Sequence, residues 1–85
     1  MMDREELEQI VLAAARAQAA NPAVEIGIET PLGPEGLGID SIGCLDLVLQ
    51  VERETGISMR DDSLTAEVLA TPGSLVEHLL KGRRG

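Results

Sequence analysis

The sequence contains no phenylalanine, tyrosine or tryptophan. Its core must be assembled from Leu, Ile, Val, Ala and Met, without the large rigid anchors that aromatic rings supply. Such a core is soft and can open to admit a flexible apolar guest. Basic residues are scarce, 7 against 15 acidic ones, for a net charge of -8. Phosphates would repel that surface, which excludes nucleic acid as a partner and speaks against an anionic membrane surface. It favours partners with basic docking patches. A single cysteine, Cys44, cannot close an internal disulfide, and nothing near it in sequence completes a metal site. No apolar run approaches the roughly 20 residues of a membrane span. The start, Met1-Met2-Asp3-Arg4-Glu5-Glu6, is polar and acidic, unlike a signal peptide. These absences lead to the expectation of a cytoplasmic protein.

What remains is 85 residues, enough for one domain spanning 1–85, ordered from about 3 to 81 with a flexible basic tail over 82–85, and monomeric. At 44% hydrophobic residues the chain is no disordered acidic tail. A helix is expected from Asp3 to about Ala20. Asp3 and Glu6 have capping-box spacing, and Leu7, Ile10, Val11, Ala14 and Ala17 share one face. Asn21-Pro22 then stops it. The connection from Asn21 to Gly38 is rich in Pro and Gly but carries Val24, Ile26, Ile28 and Leu32. The alternation Val24-Glu25-Ile26-Gly27-Ile28 has no second strand to pair with, so an ordered loop pinned on the core is expected. Loops this long in small domains are uncommon unless functional.

A second helix is expected from just after Asp40 to about Thr55, stopped by Gly56. A connection over Ile57 to Asp62 leads to a short helix over Ser63 to Leu69. A last helix follows Thr71-Pro72, which suit an N-cap and a first helical position, with Leu75, Val76, Leu79 and Leu80 as its buried face. The expected fold is all-α: a small four-helix bundle with a long loop between helices 1 and 2 and a short third helix.

The stretch Leu37-Gly38-Ile39-Asp40-Ser41-Ile42 carries the chemistry. Asp40 is placed to cap the second helix, which puts the Ser41 hydroxyl at the helix N-terminus. Unpaired N–H groups and the positive dipole end favour an anion there, so a phosphodiester on Ser41 would be well placed. Alone, an Asp-Ser pair is more often a plain cap. Its surroundings change the weighting. The motif is followed by Leu45-Asp46-Leu47-Val48 and then by Glu52-Arg53-Glu54-Thr55-Gly56-Ile57. Together these resemble the acyl carrier protein family, which has a Leu-Gly-x-Asp-Ser-Leu motif, an acidic-Leu pair and an acidic helix end closing in Gly-Ile. The likeness follows helix order along nearly the whole chain and is detailed from Leu37 to Ile57. Departures are Ile42, Gly43, Asp46, Thr55 and a long segment from Asp61 to Ser74; none touches the attachment chemistry.

The resemblance implies that Ser41 receives 4′-phosphopantetheine from coenzyme A through a phosphopantetheinyl transferase, with Asp40 as motif residue and cap. It implies a non-catalytic carrier that holds acyl groups as thioesters and presents them to loading and processing enzymes of fatty acid, polyketide or related biosynthesis. The alternative cargo is aminoacyl or peptidyl, as in nonribosomal-type pathways. The cofactor supplies the reactivity and the protein supplies tethering.

At about 100° per residue, Cys44, Leu47, Val48 and Val51 form one face of the second helix, and Ile42, Leu45 and Leu49 another. The first face suits the core, which makes Cys44 a packing residue. The second, edged by Asp46 and Glu52, is either a docking face below Ser41 or is covered by the long loop. In the family this helix is the one partner enzymes recognise. Two other chemistries fail. Ile39-Asp40-Ser41-Ile42-Gly43 misses the first Gly of a nucleophile elbow and has no sheet to sit on, and His78 reads as a helix-edge residue. Asp61-Asp62 lacks the spacing of a calcium loop, and no metal site is expected. A competitor from another class is an unmodified acidic bundle that binds a basic partner.

Overall fold

The computed structural model describes residues 3–20, 25–59 and 64–82. They hold three helices: α1 (Arg4–Gln18), α2 (Ser41–Thr55) and α3 (Pro72–Gly82), with no strand among the described residues.

Each helix begins where its capping residue stands. In α1 the Asp3 carboxylate accepts from the Glu6 N–H at 2.9 Å, and the Asp3 N–H donates back to the Glu6 carboxylate at 3.3 Å. α1 ends before the expected Ala20, with Ala19 already extended. The Asn21-Pro22 stop lies outside the described residues, as does Val24. In α2 the Asp40 carboxylate accepts from the Gly43 N–H at 2.7 Å. At the far end Gly56 takes a left-handed φ of 74° and donates to the Glu52 carbonyl, closing the helix as a residue without Cβ can. α3 opens on a reciprocal pair: the Thr71 hydroxyl accepts from the Ser74 N–H and the Ser74 hydroxyl lies 3.1 Å from the Thr71 N–H.

α1 packs against both α2 and α3, and those two helices make no close backbone approach to each other. Leu7, Val11, Ala14 and Ala15 of α1 meet Leu47, Val48 and Val51 of α2 and Leu75, Val76 and Leu79 of α3 in one core. Ala17 is exposed, and Ala15 takes the place expected for it. From Val11, at the middle of the buried stripe, the 100° step carries Ala15 about 40° round the helix and Ala17 about 120°. Ion pairs from Arg4 to Glu8 and to Glu77 tie the start of α1 to α3.

From residue 25 onward the long connection is the expected ordered loop. Leu32, Leu37 and Ile39 are buried, and its backbone is fastened at both ends: Ala20 N–H to the Leu37 carbonyl at 3.0 Å, Gly73 N–H to the Ile28 carbonyl at 2.7 Å, Leu32 N–H to the Ala70 carbonyl at 2.9 Å. Such bonds satisfy backbone groups that a buried loop would otherwise leave unpaired.

Among the described residues the expected short third helix is present only as a turn. Residues 66–69 form turns, with the Leu69 N–H bonded to the Thr65 carbonyl at 3.2 Å, and Ser63 lies outside the described residues. One helical turn is too short to be stable alone. Its carbonyls are drawn elsewhere: Val68 accepts from the Ser74 hydroxyl at 2.7 Å, and Ala70 accepts from Leu32. Leu64, Val68 and Leu69 pack against the core. Gly82 closes α3 as a helical residue, while the rest of the expected tail, 83–85, lies outside the described residues.

Candidate functional site

Ser41 is the first residue of α2 and is exposed. Helix geometry leaves the N–H groups of the first turn without intrahelical acceptors. Asp40 takes that of Gly43, and the N–H groups of Ser41 and Ile42 have no acceptor within the helix. No acidic residue follows in that turn. Asp40 is the one acidic residue at this helix end, and the open N–H groups of Ser41 and Ile42 lie beside the Ser41 hydroxyl, which suits a phosphate ester at that oxygen.

Gly43 is buried, and an added Cβ would come within 2.8 Å of Ile39 Cγ2 and 3.2 Å of the Asp40 carboxylate. Its lack of a side chain lets Ile39 fold under the helix while Asp40 caps it. From sequence alone Gly43 reads only as a weak point in the first turn; the close approach is what requires it.

Beside Ser41 a groove of about 820 Å³ opens between α2, the loop 31–39 and the segment 64–71. Ile39, Cys44, Leu45, Val48, Leu64 and Leu69 give it an apolar lining. The aromatic-free interior is thus open on one side, next to the candidate attachment point. Sequence spacing does not single out Leu64 and Leu69, because their role depends on where the turn lies against α2. Cys44 packs against the core as expected, and it also lines the groove. Its thiol pKa is pushed up, first by burial and then by the charge of Asp40.

The two faces of α2 separate as expected. Leu47, Val48 and Val51 are buried, while Ile42 is 71% exposed and Leu45 52% exposed. Asp46 is exposed beside them, and Leu49 is half-buried. Glu52 is half-buried, and its carboxylate accepts from the Met59 N–H at 2.6 Å. It therefore also anchors the chain leaving α2. His78 is half-buried on α3, and Ser41 stands at the start of another helix. Among the described residues, no three His, Cys, Asp or Glu are placed to hold a metal ion, and no helix is long and apolar enough to cross a membrane.

The geometry is that of a small helical fold with an exposed serine beside an Asp cap. The family model described as "Phosphopantetheine attachment site" matches residues 9–79, and the chain belongs to that family, whose members carry covalently attached 4′-phosphopantetheine. No curated protein matches the chain.

Proposed function

We propose that the chain is an acyl carrier protein that carries the 4′-phosphopantetheine arm on Ser41. A phosphopantetheinyl transferase makes the Ser41 Oγ–phosphorus bond as the anhydride bond of coenzyme A breaks; the adenosine bisphosphate leaves and the hydroxyl proton passes to the enzyme. The arm then supplies a thiol for thioester chemistry. Asp40 holds the helix end, and the N–H groups of Ser41 and Ile42 offer donors to the phosphodiester. Ile42, Leu45, Asp46, Leu49 and Glu52 form the face offered to loading and processing enzymes with basic patches. The chain acts as their substrate, as a cytoplasmic monomer, and catalyses nothing itself. The observation that carries this reading is the exposed Ser41 at the Asp-capped N-terminus of α2 within a matched carrier domain.

The apolar groove beside Ser41 favours acyl cargo over aminoacyl or peptidyl cargo. Incubation with a broad-specificity transferase and coenzyme A, followed by intact mass, tests attachment. One arm per chain is expected, and none on Ser41→Ala. No addition with several transferases would leave an unmodified interaction module as the better account.

A further inference from the structure

The lining of the groove has a one-sided charge. Two carboxylates, Glu35 and Asp40, stand among the lining residues, with no Lys, Arg or His among the described residues that form it. Asp40 is committed to the cap of α2. Its charge already reaches into the groove, where it helps to push the Cys44 thiol up. Glu35 is exposed and makes no hydrogen bond or ion pair among the described residues. The turn around it is fixed by the Gly36 N–H to Gly33 carbonyl bond at 3.0 Å. Its carboxylate folds back over Gly33, another lining residue, to 3.1 Å from where a Cβ would stand.

We propose that Glu35 makes the groove selective for acyl chains that lack a terminal carboxylate. This rests on Ser41 bearing the arm and on the chain of its cargo entering the groove. A neutral chain gains from leaving water against Ile39, Val48, Leu64 and Leu69. A chain ending in a carboxylate would have to desolvate that group in an apolar cleft. It would do so near two fixed negative charges and the negative phosphodiester at Ser41. Asp40 cannot be altered without loosening the helix start, so Glu35 is the residue that tunes the effect. Being exposed, its contribution is screened by salt.

The test loads apo protein with octanoyl-coenzyme A and with the equal-length 7-carboxyheptanoyl-coenzyme A, in the wild type, E35Q and E35K. Intact mass first confirms loading, and melting temperatures are then compared with the bare-arm form of the same variant. In the wild type the octanoyl form should melt about 4 °C or more above the bare-arm form, because the guest binds only the folded state. The carboxylate form should melt close to the bare-arm form. That gap should narrow in E35Q, narrow further in E35K, and shrink at high salt in the wild type. Equal stabilisation by both cargoes, a gap unchanged across the three proteins, or no shift with octanoyl would each overturn the proposal. All three would leave the carrier reading standing, whereas failure to load any cargo would strike that reading itself.

Discussion

α1 and α2 are each 15 residues long and each begins at an aspartate cap, yet their first turns are opposites. In α1 the cap is reciprocated by Glu6, and Glu5 and Glu6 place negative charge at the dipole end. In α2 the matching position is Gly43, and the first turn holds no acidic residue. The flanks differ in the same sense. The core-facing residues of α1 leave no large apolar side chain exposed, whereas α2 shows Ile42 and Leu45 to solvent and one wall of a groove. α1 adds two carboxylates to its cap, whereas α2 has only its cap, Asp40, at the dipole end.

The largest stability effect should come from the packed helix. Leu7→Ala removes a fully buried side chain and should cost about 2–5 kcal/mol in chemical denaturation. Leu45→Ala, on the open side of α2, should cost under about 1 kcal/mol while reducing turnover by partner enzymes at any salt concentration. A large loss of stability at Leu45 would mean that its face belongs to the core.

Gly43→Glu would give α2 the first turn of α1. The new Cβ must displace Ile39 or the Asp40 cap, at about 1–3 kcal/mol. Arm transfer should slow by an order of magnitude or more even where the variant is folded, because the added carboxylate competes for the dipole end. Unchanged transfer kinetics in a folded variant would remove the electrostatic part of the account. The two caps should separate more gently. Asp3→Ala and Asp40→Ala should each cost about 1 kcal/mol, with slower arm transfer only for Asp40→Ala.

The smallest effect concerns docking. Asp46→Lys should slow partner turnover at low salt and matter less at high salt, since charge acts mainly on association rate. Glu5→Lys on α1 is the matched comparison. If both slow turnover equally, net charge alone steers. Glu52→Lys is a poorer probe, because its carboxylate holds the Met59 N–H and its loss would also loosen the loop.

Local signals in the sequence were sufficient for much of this. The caps at Asp3, Asp40 and Thr71, the stop at Gly56 and the buried faces of α2 and α3 depend on residues a few positions apart, and the structure has them where spacing put them, with Cys44 and Leu80 half-buried at the edges of those faces. Ser41 was legible as a helix start for the same reason. Long-range geometry was not legible. Residues 66–69 have the composition of a short helix, but Val68 gives its carbonyl to Ser74 and the next residue, Ala70, gives its own to Leu32, partners that sequence spacing cannot locate. The need for glycine at 43 arises from Ile39 packing beneath it. The groove exists because the turn, the loop and α2 meet without α3 closing the gap. Glu52 showed as an acidic edge of the docking face, and its bond to Met59 depends on how the chain turns after Gly56.

The central claim is that α2 is left open for an arm on Ser41. Its most direct test is fragment mapping by tandem mass spectrometry after treatment with a transferase and coenzyme A. The chain has three other serines, Ser58, Ser63 and Ser74, which serve as internal comparisons. The account predicts the whole added mass on the peptide containing Ser41 and none on the others. Addition at Ser58, Ser63 or Ser74 with Ser41 unmodified would contradict it.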